Sequence, residues 1–300
     1  MHKIVAVVVT YNRIDLLCQC IQHLKNQTVP CDILIIDNAS TDGTGSYIEQ
    51  ITDETLYYHN TGENIGGAGG FHTGMRLAAK MGYEFVWVMD DDCLPKEDSL
   101  EQLLLADKSL GGKEHYGFLS SVVLWTDGTE CRMNRQKPLA VSTKLEKLDQ
   151  KKGLLRIKQA TFVSLLIPVK TIQRVGLPVK EFFIWGDDIE YTRRIALLEN
   201  LPSYVVKKSE VVHAMKKNTG SNIALDEIER IQRYEYAYRN EAFLYKKEGC
   251  RGICYYFAKC GLNIARIIFY KNDHKITRLK TIMSGMIKGI FFHPKIEYCE

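Results

Sequence analysis

The 300-residue sequence contains no run of the roughly 18 or more apolar residues that a membrane-spanning helix needs. Its start, MHKIVAVVVTYN, enters a strand-like run directly and lacks the small-residue cleavage pattern of a secretory leader. Nine cysteines are present, an odd number, and Cys250, Cys254 and Cys260 match no common zinc spacing. They are expected to be reduced thiols, most of them small core residues, which fits a cytosolic setting. The first strand is followed by Thr10-Tyr11-Asn12-Arg13, not by a glycine-rich dinucleotide fingerprint or a phosphate-binding P-loop. That argues against both of those nucleotide-binding folds.

The composition is ordinary for a soluble globular chain, with 45% hydrophobic and 25% charged residues. The net charge of +4 is unevenly spread. From Lys246 onward eleven basic residues face four acidic ones, giving +7 there and leaving −3 for the first 245 residues. A chain of this length exceeds one compact unit, and one large domain plus an appendage is expected.

The pattern along the first 90 residues alternates strand and helix. Ile4–Val9 is a β-branched run of the kind buried on both faces of a parallel sheet. Asp32–Ile36, Leu56–His59 and Glu84–Met89 follow, with a helix through about Asn26 and another ending near Met81. Four repeats with short connections predict a mostly parallel, Rossmann-like α/β sheet flanked by helices. The polar clusters follow the strands, so they converge on one sheet edge, where such sheets bind ligands. Further strands are expected at Tyr116–Trp125, Ala160–Pro168 and Val205–His213, with residues 126–152 a mobile surface segment.

The chemistry concentrates at two places. The apolar run Phe85–Met89 ends in Asp90, Asp91 and Asp92. Side chains alternate along a strand, so Asp90 and Asp92 face one way, and adjacent carboxylates call for a divalent cation such as magnesium or manganese. A solvated acidic turn capping the next helix is the plainer reading of the same residues. The second centre is Trp185-Gly186-Asp187-Asp188-Ile189-Glu190, where an apolar wall runs into paired carboxylates at a helix start. One of them suits a general base, although Asp187 capping the helix with Glu190 in a capping box gives the same pattern. His213, ending a strand, is a candidate third metal ligand or an ordinary structural histidine. Gly66–Gly70 would let backbone amides approach an anion at a helix start. Asp37 is read as a ligand to a base or ribose, or as a turn residue.

Taken in order, Thr10-Tyr11-Asn12-Arg13, Ile36–Gly43, the Asp90–Asp92 triad and the Trp185–Glu190 block resemble the family 2 glycosyltransferases of GT-A fold. The resemblance covers about residues 3–215. The Asn64–Phe71 segment looks narrower still, like bacterial galactofuranosyltransferases, with rhamnosyltransferases using dTDP-rhamnose close behind. It implies an inverting transfer from a UDP-sugar, with UDP-galactofuranose the first choice, onto a glycan acceptor on a polyprenyl diphosphate, in surface polysaccharide or capsule synthesis. Thr10, Asn12, Arg13, Asp37, Asn64, Gly66, Gly67, Asp91 and Trp185 would line the donor. Asp90, Asp92 and His213 would hold Mn2+ or Mg2+, and Asp188, with Asp187 beside it, would be the base. A nucleotidyltransferase and a non-catalytic sugar-binding module are the competing readings.

The expected organisation is a GT-A domain over residues 1–220 and a basic helical extension over 221–300. Ile231–Tyr245, Ile253–Tyr270 and Ile276–Phe292 read as helices, the last apolar on one side and basic on the other. Such a face predicts peripheral attachment to anionic lipid at the inner face of the cell membrane. The acidic site and the −3 of the main domain argue against nucleic acid as a partner.

Overall fold

A computed structural model describes residues 3–139 and 144–299. The strands are β1 Ile4–Thr10, β2 Asp32–Asp37, β3 Leu56–Asn60, β4 Phe85–Asp90, β5 Cys93–Pro95, β6 Leu119–Trp125, β7 Lys137–Pro138, β8 Leu154–Gln159, β9 Leu165–Pro168 and β10 Tyr204–His213. The helices are α1 Ile14–Lys25, α2 Thr44–Glu49, α3 Gly66–Lys80, α4 Ser99–Leu110, α5 Lys144–Lys151, α6 Val169–Val175, α7 Asp187–Arg193, α8 Ile228–Ile231, α9 Arg233–Lys247, α10 Gly249–Phe269 and α11 Lys275–Phe291. A π-type turn, Arg194–Leu198, continues α7.

One sheet carries the molecule, in the order β3-β2-β1-β4-β9-β6-β10-β8-β7, with β5 paired to β10. The first four strands are parallel, as the alternation of strand and helix requires. The second half departs from the mostly parallel expectation. β9 runs antiparallel to both β4 and β6, and β8 and β5 run antiparallel to β10. The sheet is therefore mixed. The β-branched runs fill the core as expected, with every residue of β1 buried. One apolar layer packs between the sheet and α1 and α4, and a second between the sheet and α3 and α7.

The register sets the site. Thr10 lies beside Asp37, and Val9 beside Asp90, so the ends of β1, β2 and β4 share one edge. On the other half, His213 pairs with Cys93 and with Trp125. That pairing brings the end of β10 against the triad although 121 positions separate His213 from Asp92.

The region after residue 220 is helical, as expected, and closely fitted. A methyl at Gly285 or Gly289 of α11 would come within 2.7 and 2.5 Å of α9, so these glycines allow the two helices to touch. Phe243 of α9 and Phe292 share an aromatic cluster with Phe182, just before α7. The chain then returns to the sheet domain. Glu297 accepts from Arg76 and, at 2.5 Å, pairs with Lys180, while its carbonyl accepts from the Leu177 amide at 2.7 Å.

Part of the polar stretch 126–152 was expected to be a mobile surface; residues 140–143 lie outside the described residues. Of the rest, Cys131 and Asn134 are buried beneath the site and α5 is a helix.

Candidate active site

The three aspartates separate as alternation predicts. Asp91 turns inward, where its carboxylate accepts from Thr10 Oγ1 at 2.7 Å and pairs with Arg13 at 2.5 Å. Asp90 and Asp92 turn the other way. One ligand atom from each, with one from His213, lies within 4.8 Å of the other two. Arg13 also reaches Asp92 at 2.6 Å. Although its side chain is 42% exposed, it lies among three carboxylates: partial burial works against its charge, but Asp91, Asp92 and Asp90 together raise its pKa.

Burial decides the protonation of the triad. It pushes Asp90 up to about 7, with Asp92 adding to the push, and Asp91 up to about 6 against the pull of Arg13. Burial also acts to raise Asp92, but the His213 hydrogen bond and charge, with Arg13, hold it below the usual range. His213 is correspondingly raised despite its burial, because its Nε2 sits 2.9 Å from Asp92 Oδ1.

The donor set fits a hard divalent cation: two carboxylates and an imidazole, close enough to share one ion. The imidazole is also held as a ligand would be. Its Nδ1 lies 2.7 Å from Asn134 Oδ1, which also accepts from Cys131 Sγ at 2.9 Å. Asn134 Nδ2 donates to Thr161 Oγ1 at 2.9 Å, which fixes the amide with its oxygen toward the ring. Nδ1 therefore donates to Asn134, and Nε2, which donates to Asp92 while the ring is protonated, is the atom a metal would take by displacing that proton. Neither Asn134 nor Cys131 was foreseen, because both lie in a stretch with no strand or helix pattern.

The second carboxylate pair starts α7. Gly186, at φ 89°, is the N-cap, and no side chain caps the helix. The capping-box alternative is thus not what forms. Glu190 instead pairs within the core with Arg194, at 2.8 and 3.1 Å, and Arg194 also holds the Val175 and Leu177 carbonyls. Burial raises Asp187 to about 8, helped by the charge of Asp188. Burial raises Asp188 to about 7, and here the neighbouring charge is Asp90. Asp188 is therefore the member of the pair that feels Asp90. One of its oxygens accepts from the Ile189 amide at 2.6 Å.

Trp185 lies at this turn with φ 62°, its ring edge-on to Tyr234 at 4.8 Å. Of the remaining donor candidates, Asp37 is fully buried and already holds the Tyr58 hydroxyl at 2.7 Å and the Ser40 amide at 2.9 Å. Asn12 is exposed and accepts from the Thr41 amide at 2.7 Å, so the first two strand-end loops are tied together. Asn64 Oδ1 accepts from the Gly66 amide at 2.9 Å, in the turn that enters α3.

The glycines of α3 serve mainly close packing. A methyl on Gly66 would stand 2.1 Å from the Phe183 carbonyl oxygen, one on Gly70 2.6 Å from Val9, and one on Gly74 2.3 Å from Val7. Gly67 alone of the first two has open space around it. α3 therefore begins at Gly66, earlier than the expected start, and its first turn abuts the loop that leads into Asp187.

A sheet edge that gathers an Asp-x-Asp pair, a strand-end histidine and a carboxylate-bearing helix start defines the GT-A class of glycosyltransferase fold. Residues 5–111 match the glycosyl transferase family 2 model. It is 30% identical over 202 residues to the galactofuranosyltransferase GlfT1 of Mycobacterium tuberculosis, covering 65% of this chain and 64% of that protein. The chain thus spans slightly less than two thirds of that relative's length. With GlfT1 of Mycolicibacterium smegmatis it shares 25% identity over 260 residues, 82% of this chain and 84% of that one. An undecaprenyl-phosphate mannosyltransferase of Micrococcus luteus is 30% identical over 108 residues, 35% of this chain and 44% of that protein.

Two solved structures share the fold. GalNAc-T7, with UDP, GalNAc and Mn2+, superposes with a TM-score of 0.65 at 13% identity, over 97% of this chain and 57% of that one. Staphylococcus aureus TarS 1–349 gives 0.55 at 14% identity, over 94% and 71%.

Proposed function

We propose that this chain is an inverting, metal-dependent glycosyltransferase that moves galactofuranose from UDP-galactofuranose onto a glycan acceptor carried on a polyprenyl diphosphate. The observation that carries the reading is the joining of the two carboxylate centres. Asp188 sits within the electrostatic reach of Asp90, beside the cluster of Asp90, Asp92 and His213. A non-catalytic sugar-binding module has no need of that pairing. GlfT1 relatives favour galactofuranose as the donor sugar, and the undecaprenyl-phosphate mannosyltransferase favours a lipid-linked acceptor.

Mn2+ or Mg2+ held by Asp90, Asp92 and His213 would offset the charge that develops on the departing diphosphate. Arg13, paired with Asp91 and Asp92, brings a second positive charge to the same edge. Asp188 takes the proton from the acceptor hydroxyl as its oxygen attacks the anomeric carbon from the opposite face. The bond from that carbon to the diphosphate oxygen breaks, and UDP leaves with its electron pair. Asp187, at a raised pKa, stays protonated beside it at neutral pH.

The test is thermal unfolding with UDP or dTDP, each with and without manganese, followed by transfer from UDP-galactofuranose. A ligand that binds only the folded state raises the midpoint. A manganese-dependent rise with UDP, and transfer from UDP-galactofuranose, are expected. A preference for dTDP would move the assignment to rhamnosyl transfer, and no shift with either would overturn the nucleotide site.

A further inference from the structure

We propose that Asn240 and Arg239, on α9 of the helical region, are positioning residues that hold the loop leading into Asp187 and Asp188. The inference rests on the proton-transfer role given above to that pair.

The backbone of this loop is one that its own sequence does not favour. Phe183 has φ 62° and ψ −61°, and the Ile184 amide donates to the Phe182 carbonyl at 2.7 Å. That is a γ-turn of the rare, strained hand. Trp185 follows with φ 62° and Gly186 with φ 89°. Three of four consecutive residues are left-handed, and two of them carry large aromatic side chains. Such a conformation persists only when its surroundings over-determine it.

Among the described residues, the side chains that bond the carbonyls of this loop come from α9. Asn240, fully buried, directs Nδ2 at the Phe182, Ile184 and Trp185 carbonyls at 3.0, 3.2 and 2.7 Å. Its Oδ1 accepts from Arg239 Nε at 2.9 Å and Nη2 at 2.8 Å. A guanidinium can only donate, so this pairing fixes the amide with its NH2 toward the loop. Arg239 Nη2 also reaches the Glu181 carbonyl at 2.6 Å and that of Phe182 at 3.1 Å, while Phe292 lies 4.1 Å beneath its guanidinium. From the other side, the Phe183 carbonyl accepts from the Ala68 amide at 3.2 Å, against Gly66. The loop is pinned between the glycine-rich start of α3 and one Arg-Asn pair from the helical region. A base held on the first turn of α7 takes its place from that pin. The helical region is then part of the active site, and not only an attachment to it.

The experiment compares full-length wild type, Asn240→Ala and Arg239→Lys by amide hydrogen exchange and by steady-state transfer from UDP-galactofuranose. Expected for Asn240→Ala is exchange at least about tenfold faster in peptides covering residues 182–190, with peptides covering 85–92 unchanged. kcat falls about 100-fold, the scale of a small misplacement of a reacting group, while the donor KM stays within about threefold. Arg239→Lys, at a less buried position, shifts both readouts in the same direction by less; it carries the test alone if Asn240→Ala does not fold. Unchanged exchange at 182–190 would overturn the proposal, as would a loss of kcat with equal loosening throughout the chain. If wild type transfers no sugar, the transferase reading fails on its own. The exchange arm still decides the clamp, because loosening confined to 182–190 needs no substrate.

Discussion

Asp187 and Asp188 are chain neighbours that the fold places in different electrostatic surroundings, and the proposal that Asp188 is the base makes a testable claim about pH. Asp188 is raised to about 7 by burial and by the charge of Asp90. It is protonated below that point and competent as a base above it. Turnover is therefore expected to climb with pH and level off above about 7, in a pH–kcat/KM profile. Asp188→Asn should lower kcat by about 1,000-fold, within the usual range for loss of a general base, while Asp187→Asn stays within about tenfold. Near-normal turnover in Asp188→Asn would reverse the assignment. The metal cluster makes a second residue-scale claim. Asn134 fixes the tautomer of His213, so Asn134→Ala should weaken manganese binding by about 10–100-fold in calorimetry, the typical effect of removing a group that orients a ligand. Binding should also weaken as pH falls, because protons on His213, raised to about 10, and then on Asp90, raised to about 7, compete with the ion. The aspartates and His213 were legible because strand ends and alternation announce them. Asn134 was not, since it reaches His213 only after the chain has folded across 79 positions.

At the scale of elements, the informative case is the start of α3. The run Gly66–Gly70 reads as a cradle for an anion, yet most of its glycines are needed for contact with protein. Gly66 is left-handed, with φ 74°, and faces the Phe183 carbonyl where a methyl would overlap it. Gly66→Ala should cost about 2–4 kcal/mol in urea unfolding, from backbone strain and the overlap together. Gly67→Ala should be neutral or stabilising by up to about 1 kcal/mol, since Gly67 is helical with open space around it. If the Gly67 amide approaches the donor, the same variant lowers UDP affinity without lowering stability, and calorimetry separates the two effects. The parallel strands β1, β2 and β4 were readable because apolar runs buried on both faces leave little ambiguity. β8 and the three-residue β5 were missed: short antiparallel strands owe their existence to β10, not to any local period. Asn240 left a faint signal of its own. An asparagine inside a Tyr- and Arg-rich helix runs against helix preference, and such a residue often has a polar duty elsewhere.

For the whole molecule, the question is what covers the outer face of the helical region. Among the described residues no helix is long and apolar enough to cross a membrane. Yet α10 and α11 leave Phe257, Phe269, Ile276, Ile290 and Phe291 in solvent, with Phe269 83% and Phe291 78% exposed. α11 is held to α9 through Gly285 and Gly289, which leaves its far side unpartnered. The chain from Lys246 onward carries +7, so apolar contact and attraction to anionic lipid are expected to act together. The expected outcome is flotation of the full chain with liposomes containing anionic lipid at low salt. Raising the salt should weaken it, because each lysine or arginine contributes about 1 kcal/mol that screening removes. A Phe269→Ser, Phe291→Ser double variant should float poorly at any salt while keeping its unfolding midpoint, since neither ring is packed. Equal flotation with neutral and anionic liposomes would show that the charge plays no part, and no flotation at low salt would reject the membrane assignment altogether.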